Sequence, residues 1–427
     1  MSQLPGPKAK NDLSLLAINL TRRCNLACDH CYLDAHTLKN GSPLELTTDE
    51  VCRLLDDVVL CGDGPMVVLT GGEPLMRRDL EEIISYGAAL NLAMVVGTNG
   101  IMLKEHRVRS LKRAGVLGLG ISVDSLDPEY HDGFRGRSGA WALTMAGIEA
   151  CRRHDVSFQI HFSISESNAH ELPRMIDFAR DCGARVLNIF FLVCTGRGES
   201  VTDLTPQRYE QILGELIEAQ ERCSDLIIRA RCTPHFKRIA HQRKPASALN
   251  RISGQDGDGC IAGSHYCRIT PEGAVTACPY IPDEAGSVRR QSFKTVWATS
   301  PALRSLREPE LRGSCGACEY RRLCGGCRAR PLALGGDLMD PDPWCDYEPR
   351  GGPVIQPLSD DAHRDISWST EAGQRLTRVP GFLRKMVKKR AEAYVAELGL
   401  SCVTPEHLDE LVAKRFGGSG PPGGQAR

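Results

Sequence analysis

The sequence carries no excess of charge of either sign. Across 427 residues, 53 Lys and Arg stand against 53 Asp and Glu. That balance gives no electrostatic footprint for nucleic acid or for an anionic membrane. Long apolar runs are missing too. No stretch approaches the roughly 20 apolar residues of a spanning helix, and the start of the chain has no basic segment followed by a continuous apolar one. The expectation is a soluble cytoplasmic protein with neither nucleic acid nor membrane as partner. The length leaves room for two or three domains, so core size is not limiting.

Cysteine, by contrast, is abundant. Nineteen cysteines in such a chain point away from disulfides, because the cytosol keeps thiols reduced, and toward metal. Eleven fall in two dense groups, Cys24–Cys31 and Cys260–Cys345. The other eight (Cys52, Cys61, Cys151, Cys182, Cys194, Cys223, Cys232 and Cys402) are scattered and read mostly as small apolar packing residues. Cys24, Cys28 and Cys31 have the spacing CxxxCxxC, which suits three irons of a [4Fe–4S] cluster. Such clusters are held by thiolates, usually four of them, so a triad leaves one iron open to something other than protein. A zinc knuckle is the alternative. It would need a fourth ligand nearby, and His30 is wedged between the thiols.

Beyond the triad, short β-branched runs alternate with amphipathic stretches. Strands are expected at Leu13–Leu20, Met66–Thr70, Ala93–Thr98, Leu119–Val123, Phe158–Ile164 and Val186–Leu192. Helices are expected near Asp49–Leu60, Leu80–Leu90, Leu103–Ala114, Ala140–His154, Ala169–Cys182 and Pro206–Cys223. Thr47 with Glu50 forms a capping box, Asn168 with Glu171 a related pairing, and Thr205-Pro206 a cap before an N1 proline. The fold class is therefore α/β. Six βα units argue a parallel sheet, and right-handed crossovers curl it into a partial (β/α)6 barrel of TIM type. Active sites of such barrels lie at the strand C-termini, where the triad falls.

The expected organisation is an N-terminal arm (1–12), the barrel (13–250) and a cysteine-rich domain (251–350). A linker (351–365), a small helical domain (366–416) and a disordered tail (417–427) follow. The cysteine-rich segment has so little apolar periodicity that metal is expected to organise it.

Thr70-Gly71-Gly72-Glu73-Pro74 ends the second strand. Its glycines let backbone groups approach a ligand closely, and Glu73 can accept from an ammonium group. A CxxxCxxC triad followed by GGEP resembles the radical S-adenosylmethionine (SAM) superfamily. The resemblance implies that the open iron binds the amino and carboxylate groups of SAM while the Gly71–Pro74 segment holds the amino group. Ser122 and Asp124 match the family's ribose-contacting position, and His30 matches the ring that flanks adenine. Thr98, with Asn99 and Gly100, ends the third strand at the same rim. Glu166 and Asn168 follow the fifth strand, and Cys194–Gly198 the sixth. Each also reads as an ordinary turn or cap residue, and Asp124 as a cap for the turn at Ser125–Pro128. The implied chemistry is reductive cleavage of SAM to a 5′-deoxyadenosyl radical, which takes a hydrogen atom from substrate. No general acid or base is assignable, and His161 reads as an ordinary barrel residue.

The second cysteine group resembles the SPASM extension, which binds one or two auxiliary [4Fe–4S] clusters. By that resemblance Cys315, Cys318, Cys324 and Cys345 hold one cluster, and Cys260, Cys278 and Cys327 the other; Cys267 is the natural fourth ligand for the latter but lies off the main pattern, and without it that cluster also has an open site. Cys324-x2-Cys327 departs from the usual three intervening residues, and paired zinc ribbons are the competing reading. The wording around these cysteines, including Gly259-Cys-Ile-Ala-Gly263 and Cys318–Arg330, is similar to the radical SAM enzymes of haem d1 and alternative haem biosynthesis. A tetrapyrrole substrate is thereby implied, with propionate removal or decarboxylation as the reaction, and a ferredoxin or flavodoxin as electron donor. The stretch from Trp368 to Glu406 resembles the small helical domain of light-independent protochlorophyllide reductase. There Arg384, Lys385, Lys388, Lys389 and Arg390 are either propionate partners or a solvated basic face.

Maturation of a ribosomal peptide or of a pterin–metal cofactor is the alternative within enzymes. The short arm before Leu13 leaves no room there for a peptide-recognition domain. A multi-cluster electron carrier is the non-enzyme alternative, and it would need no Gly71–Pro74 segment.

Overall fold

A computed structural model describes residues 12–33, 35, 42–201, 203–246, 259–357, 366–379 and 381–416. The expected arm, most of the linker and the tail lie outside these. Two compact units emerge, divided at Leu358 and Ser359.

The larger unit is built on one sheet. Its strands are β1 (Leu15–Asn19), β2 (Met66–Thr70), β3 (Ala93–Thr98), β4 (Gly118–Ser122), β5 (Phe158–Ile164), β6 (Val186–Phe191), β7 (Ile227–Arg231), β8 (Tyr266–Ile269), β9 (Ala274–Cys278) and β10 (Ile281–Ser287). The order is β10-β9-β8-β1-β2-β3-β4-β5-β6-β7. Strands β1 to β7 run parallel in sequence order, as in a partial barrel. The expected six-strand count falls short, because Ile227–Arg231 adds a seventh parallel strand. Its five residues interleave arginines with small apolar residues, a pattern too short and too charged to announce a strand.

Side chains alternate across each strand. Ile160, Phe162, Leu187, Ile189 and Ile228 are buried against the surrounding helices. Gln159, His161, Asn188, Arg229 and Arg231 take the other, inner face. The capping box at Thr47 forms as expected, with Glu50 N–H donating to Thr47 Oγ1 at 3.2 Å and Thr47 N–H to Glu50 Oε2 at 2.8 Å. Thr205 caps through Arg208 N–H. The Asn168–Glu171 pairing does not form. The expected helix at 169–182 is a 3-10 turn and then Leu172–Asp181. Asn168 is spent on the carbonyls of Asp124 and Ser163, and Glu171 accepts from Ser125 and Leu126.

The cysteine-rich segment does not stand apart from the barrel. Strand β8 pairs parallel with β1, and β9 and β10 continue the sheet antiparallel. Ile269, Val275, Phe293, Val296, Trp297 and Leu303 join the barrel's own core. In the later part Cys327 and Ala329 still belong to that core, with Leu332, Leu338, Met339 and Trp344 packed against it, whereas buried Tyr320, Leu323 and Cys324 form a separate cluster.

The smaller unit has helices Thr370–Arg378, Gly381–Glu397 and Pro405–Phe416 around Ala372, Ala391, Val395 and Val403. It is not purely helical, since Ser367–Trp368 pairs parallel with Cys402–Val403. Arg384 donates to the carbonyls of Val379 and Thr377, and Lys388 faces Glu392. These contacts favour the solvated-face reading. The side chains of Lys385 and Lys389 lie outside the described residues.

Candidate active site

The loop carrying Cys24, Cys28 and Cys31 leaves the C-terminal end of β1 and is clamped from three sides. Gly72 N–H donates to Thr21 O at 2.8 Å, and Glu73 N–H to Arg23 O at 2.7 Å. A Cβ on Gly72 would stand 2.1 Å from Arg23 O. The two glycines therefore serve the approach of chain to chain, and the amides of Gly72 and Glu73 are already engaged. From the second side, Ala27 and Asp29 donate to the carbonyls of Arg135 and Phe134. From the third, Arg197 Nε reaches Cys28 O at 2.9 Å, and its amide bonds Cys31 O.

Glu73 is fully buried, and its expected role changes. Its carboxylate accepts from Leu75 N–H (3.0 Å), Thr98 Oγ1 (2.8 Å) and Asn99 N–H (2.9 Å). These bonds use most of the sites a carboxylate offers, so Glu73 and Thr98 brace the rim from within. Burial lifts the Glu73 carboxyl to about 6, against the pull of those donors.

Asp124 is not a turn cap. It is buried and ion-paired with Arg135, and it accepts from Ser163 N–H at 2.9 Å. Burial alone would raise its carboxyl, but Arg135, His30 and His131 hold it below the ordinary value. Arg135 Nη1 in turn lies 3.7 Å from Cys28 Sγ. The pair is thus a charged support beneath the cluster loop. Sequence reasoning missed Arg135 because its helix, Pro128–Arg135, was not foreseen, although Asp127-Pro128 announces it: Asp127 caps Glu129 N–H. Ser122 sits half-buried at the inner end of β4. His30 stacks on Phe134 at 4.6 Å, nearly parallel, and its buried Nδ1 has no hydrogen-bond partner.

The triad thiols act on one another electrostatically, and burial pushes Cys24 up to about 12. Buried thiols of this kind become ligands only when metal replaces the proton. The second group is more explicit. Cys315, Cys318, Cys324 and Cys345 line one cavity, together with Arg238, Tyr320 and Tyr347. Tyr320 N–H donates to Cys318 Sγ at 3.4 Å. Gly325 and Gly326, at φ 65° and 70°, let the chain turn between Cys324 and Cys327. That turn is how a two-residue spacing sends neighbouring thiols to different places.

Cys267 departs from its expected place. It is buried on β8 in the barrel core, where its neighbours are Cys61 and Arg307. Cys232, read from sequence as a packing residue, takes the position instead. Directly after β7, at φ 60°, its thiol interacts with Cys260 and Cys278, and Cys327 with both Cys260 and Cys232. Non-glycine residues with positive φ are uncommon and cluster at functional sites. Arg330 ties this group together. Its Nη2 donates to Cys232 O at 2.6 Å and its Nη1 to Asp342, which accepts from Cys327 N–H.

Among the described residues, no three His, Cys, Asp or Glu side chains stand close enough to share one metal ion. The donor sets are all thiols, which suit [4Fe–4S] clusters.

The comparisons agree. The radical SAM superfamily pattern matches residues 18–179, and an iron–sulfur cluster-binding (SPASM) pattern matches 260–319. The AdoMet-dependent heme synthase of Methanosarcina barkeri is 40% identical over 342 residues, covering 78% of this chain and 97% of that protein. The chain belongs to the radical SAM superfamily. As a SPASM member it is an enzyme of the radical SAM type, with SAM, a [4Fe–4S] cluster and auxiliary clusters as cofactors. The pre-heme d1 synthase of Dinoroseobacter shibae is 30% identical, covering 77% of this chain and 84% of that one. Streptococcus suis SuiB bound to S-adenosylmethionine shares the fold, with a TM-score of 0.63 at 17% identity over 79% of this chain and 78% of that one. Residues 368–411 match the proto-chlorophyllide reductase 57 kD subunit pattern. No helix among the described residues is long and apolar enough to cross a membrane.

Proposed function

We propose that this radical SAM enzyme acts on an iron tetrapyrrole and oxidatively decarboxylates propionate side chains. The observation that carries the reading is the 40% identity to a heme synthase along almost that protein's whole length, across both cysteine groups.

In this reading Cys24, Cys28 and Cys31 hold the cluster that meets SAM. Cys315, Cys318, Cys324 and Cys345 hold one auxiliary cluster. Cys232, Cys260, Cys278 and Cys327 hold the second and leave it no open iron. Once bound, the cofactors supply the electron and the radical that removes hydrogen. The substrate step balances simply: the propionate β-carbon gives up one hydrogen atom, the carboxylate leaves as carbon dioxide, one electron departs, and a vinyl group remains. A closed auxiliary cluster suits the departing electron better than it suits substrate ligation. Arg135 and Asp124 hold the Cys28 segment, Glu73 braces the rim, and the inner face with Ser122 and His161 lines the substrate side. Burial, with Arg231 and Arg135 nearby, lowers His161 to about 3, so its ring is neutral at physiological pH. The electron source is a ferredoxin- or flavodoxin-type donor.

The test is anaerobic turnover of the reconstituted protein with SAM, dithionite and iron coproporphyrin, followed by mass spectrometry. Loss of carbon dioxide and hydrogen from the propionates is expected, and recovery of unchanged porphyrin alongside cleaved SAM contradicts the reading.

A further inference from the structure

Two half-buried arginines on β7 face no acidic partner among the described residues. Arg229 and Arg231 share the inner face of the strand, two residues apart. Among the described residues no carboxylate acts on either guanidinium, and the buried Nε of Arg229 has no hydrogen-bond partner. Arg231 Nε donates to Asn188 Oδ1 at 2.8 Å, and Asn188 Nδ2 donates to Gln159 Oε1 at 2.8 Å. That neutral network orients Arg231 without neutralising it. The unit's fully buried arginines are paired: Arg135 has Asp124, Arg238 has Glu210 and Arg330 has Asp342. Two half-buried guanidinium groups on the inner face without an acid are open to a negative charge from outside the chain. The Cys232 thiol lies beside Arg231, but no thiol acts on Arg229.

The register shows where that charge would sit. Ser122 pairs with His161, His161 with Asn188, and Asn188 with Arg229. Arg229 is therefore three strands from Ser122, about 14 Å along the sheet at about 4.8 Å per strand. Gly120, on β4 two residues before Ser122, accommodates the His161 ring, since a Cβ there would stand 2.4 Å from it.

We infer that Arg229, assisted by Arg231, is a binding site for a substrate carboxylate distant from the reacting carbon. On the tetrapyrrole reading, on which this identification of the ligand rests, the carboxylate is a propionate on the far side of the macrocycle. Anchoring it at β7 leaves another propionate near Ser122. The guanidinium fork suits a carboxylate, with two parallel charge-assisted bonds.

Binding of iron coproporphyrin and of iron octaethylporphyrin, which has no carboxylates, tests this in the cluster-loaded protein by visible absorbance. Arg229→Gln should weaken coproporphyrin binding about 10- to 100-fold, Arg229→Lys should recover part of the loss, and octaethylporphyrin binding should not change. Arg229→Met should also raise the melting temperature of the ligand-free protein, because an uncompensated half-buried charge is removed. A residue of purely structural value would lower it. Coproporphyrin affinity within twofold of wild type in both Arg229→Gln and Arg231→Gln overturns the inference. If wild type binds neither porphyrin, the tetrapyrrole reading fails. The carboxylate site is then read with glutarate: binding by wild type that is lost in Arg229→Gln sustains it, and no binding overturns it.

Discussion

The two cysteine regions reach similar chemistry by opposite routes. Around Cys24–Cys31 the protein does most of the organising: backbone bonds from Gly72 and Glu73, the Asp124–Arg135 pair and Arg197 hold the loop on the barrel. Around Cys315, Cys318 and Cys324 the thiols line a cavity with Cys345, and the adjoining cluster of Tyr320, Leu323 and Cys324 stands apart from the main core. One site is a pre-built socket, while the other takes its rigidity from what it binds. A motif residue can therefore brace the first site through its own hydrogen bonds, as Glu73 and Thr98 do.

The contrast breaks most visibly when iron is removed. Anaerobic chelation should raise amide hydrogen exchange across Gly313–Cys324 by at least about tenfold, while strands β1 to β6 keep their protection. Equal loss of protection in both regions would erase the distinction.

The next largest effect tests the socket. Asp124→Asn leaves the Arg135 charge buried without its partner, a cost of about 3–5 kcal/mol. Chemical denaturation of the variant should report that loss. The pH dependence has a definite sign. The Asp124 carboxyl is held below its ordinary 3.8 in the folded protein, so its stabilisation is complete above that value and is lost as pH falls further. The acid limb of the stability curve should be shallower in Asp124→Asn. An unchanged limb would remove the pair from the account.

The smallest difference sharpens the auxiliary side. Cys232→Ala should alter the electron paramagnetic resonance signal of one auxiliary cluster and lower bound iron. Cys267→Ala should leave both alone and cost about 1 kcal/mol from a small cavity. The opposite pattern would restore Cys267 as the ligand.

These cases show where the sequence was legible. The triad, the Gly71–Pro74 segment and the four thiols around the cavity stood at recognisable spacings, and the first six parallel strands followed from periodicity. Cys232 was hidden because nothing in Arg-Ala-Arg-Cys distinguishes a ligand from a packing thiol. What marks it is a positive φ and three distant thiols brought to it by folding. Cys267 misled for the converse reason, since a favourable place in the chain says nothing about which face of β8 it occupies. Glu73, Thr98 and Asp124 were found as rim residues, but their hydrogen-bond partners lie on other strands and helices, so their bracing role needed the fold. Arg229 and Arg231 carried no signal at all until the register placed them on the inner face without an acid.

The most direct test follows the hydrogen atom. Iron coproporphyrin deuterated at the propionate β-carbons, turned over anaerobically with SAM, should yield 5′-deoxyadenosine carrying deuterium together with a vinyl-bearing porphyrin. Unlabelled 5′-deoxyadenosine with intact propionates would contradict the account.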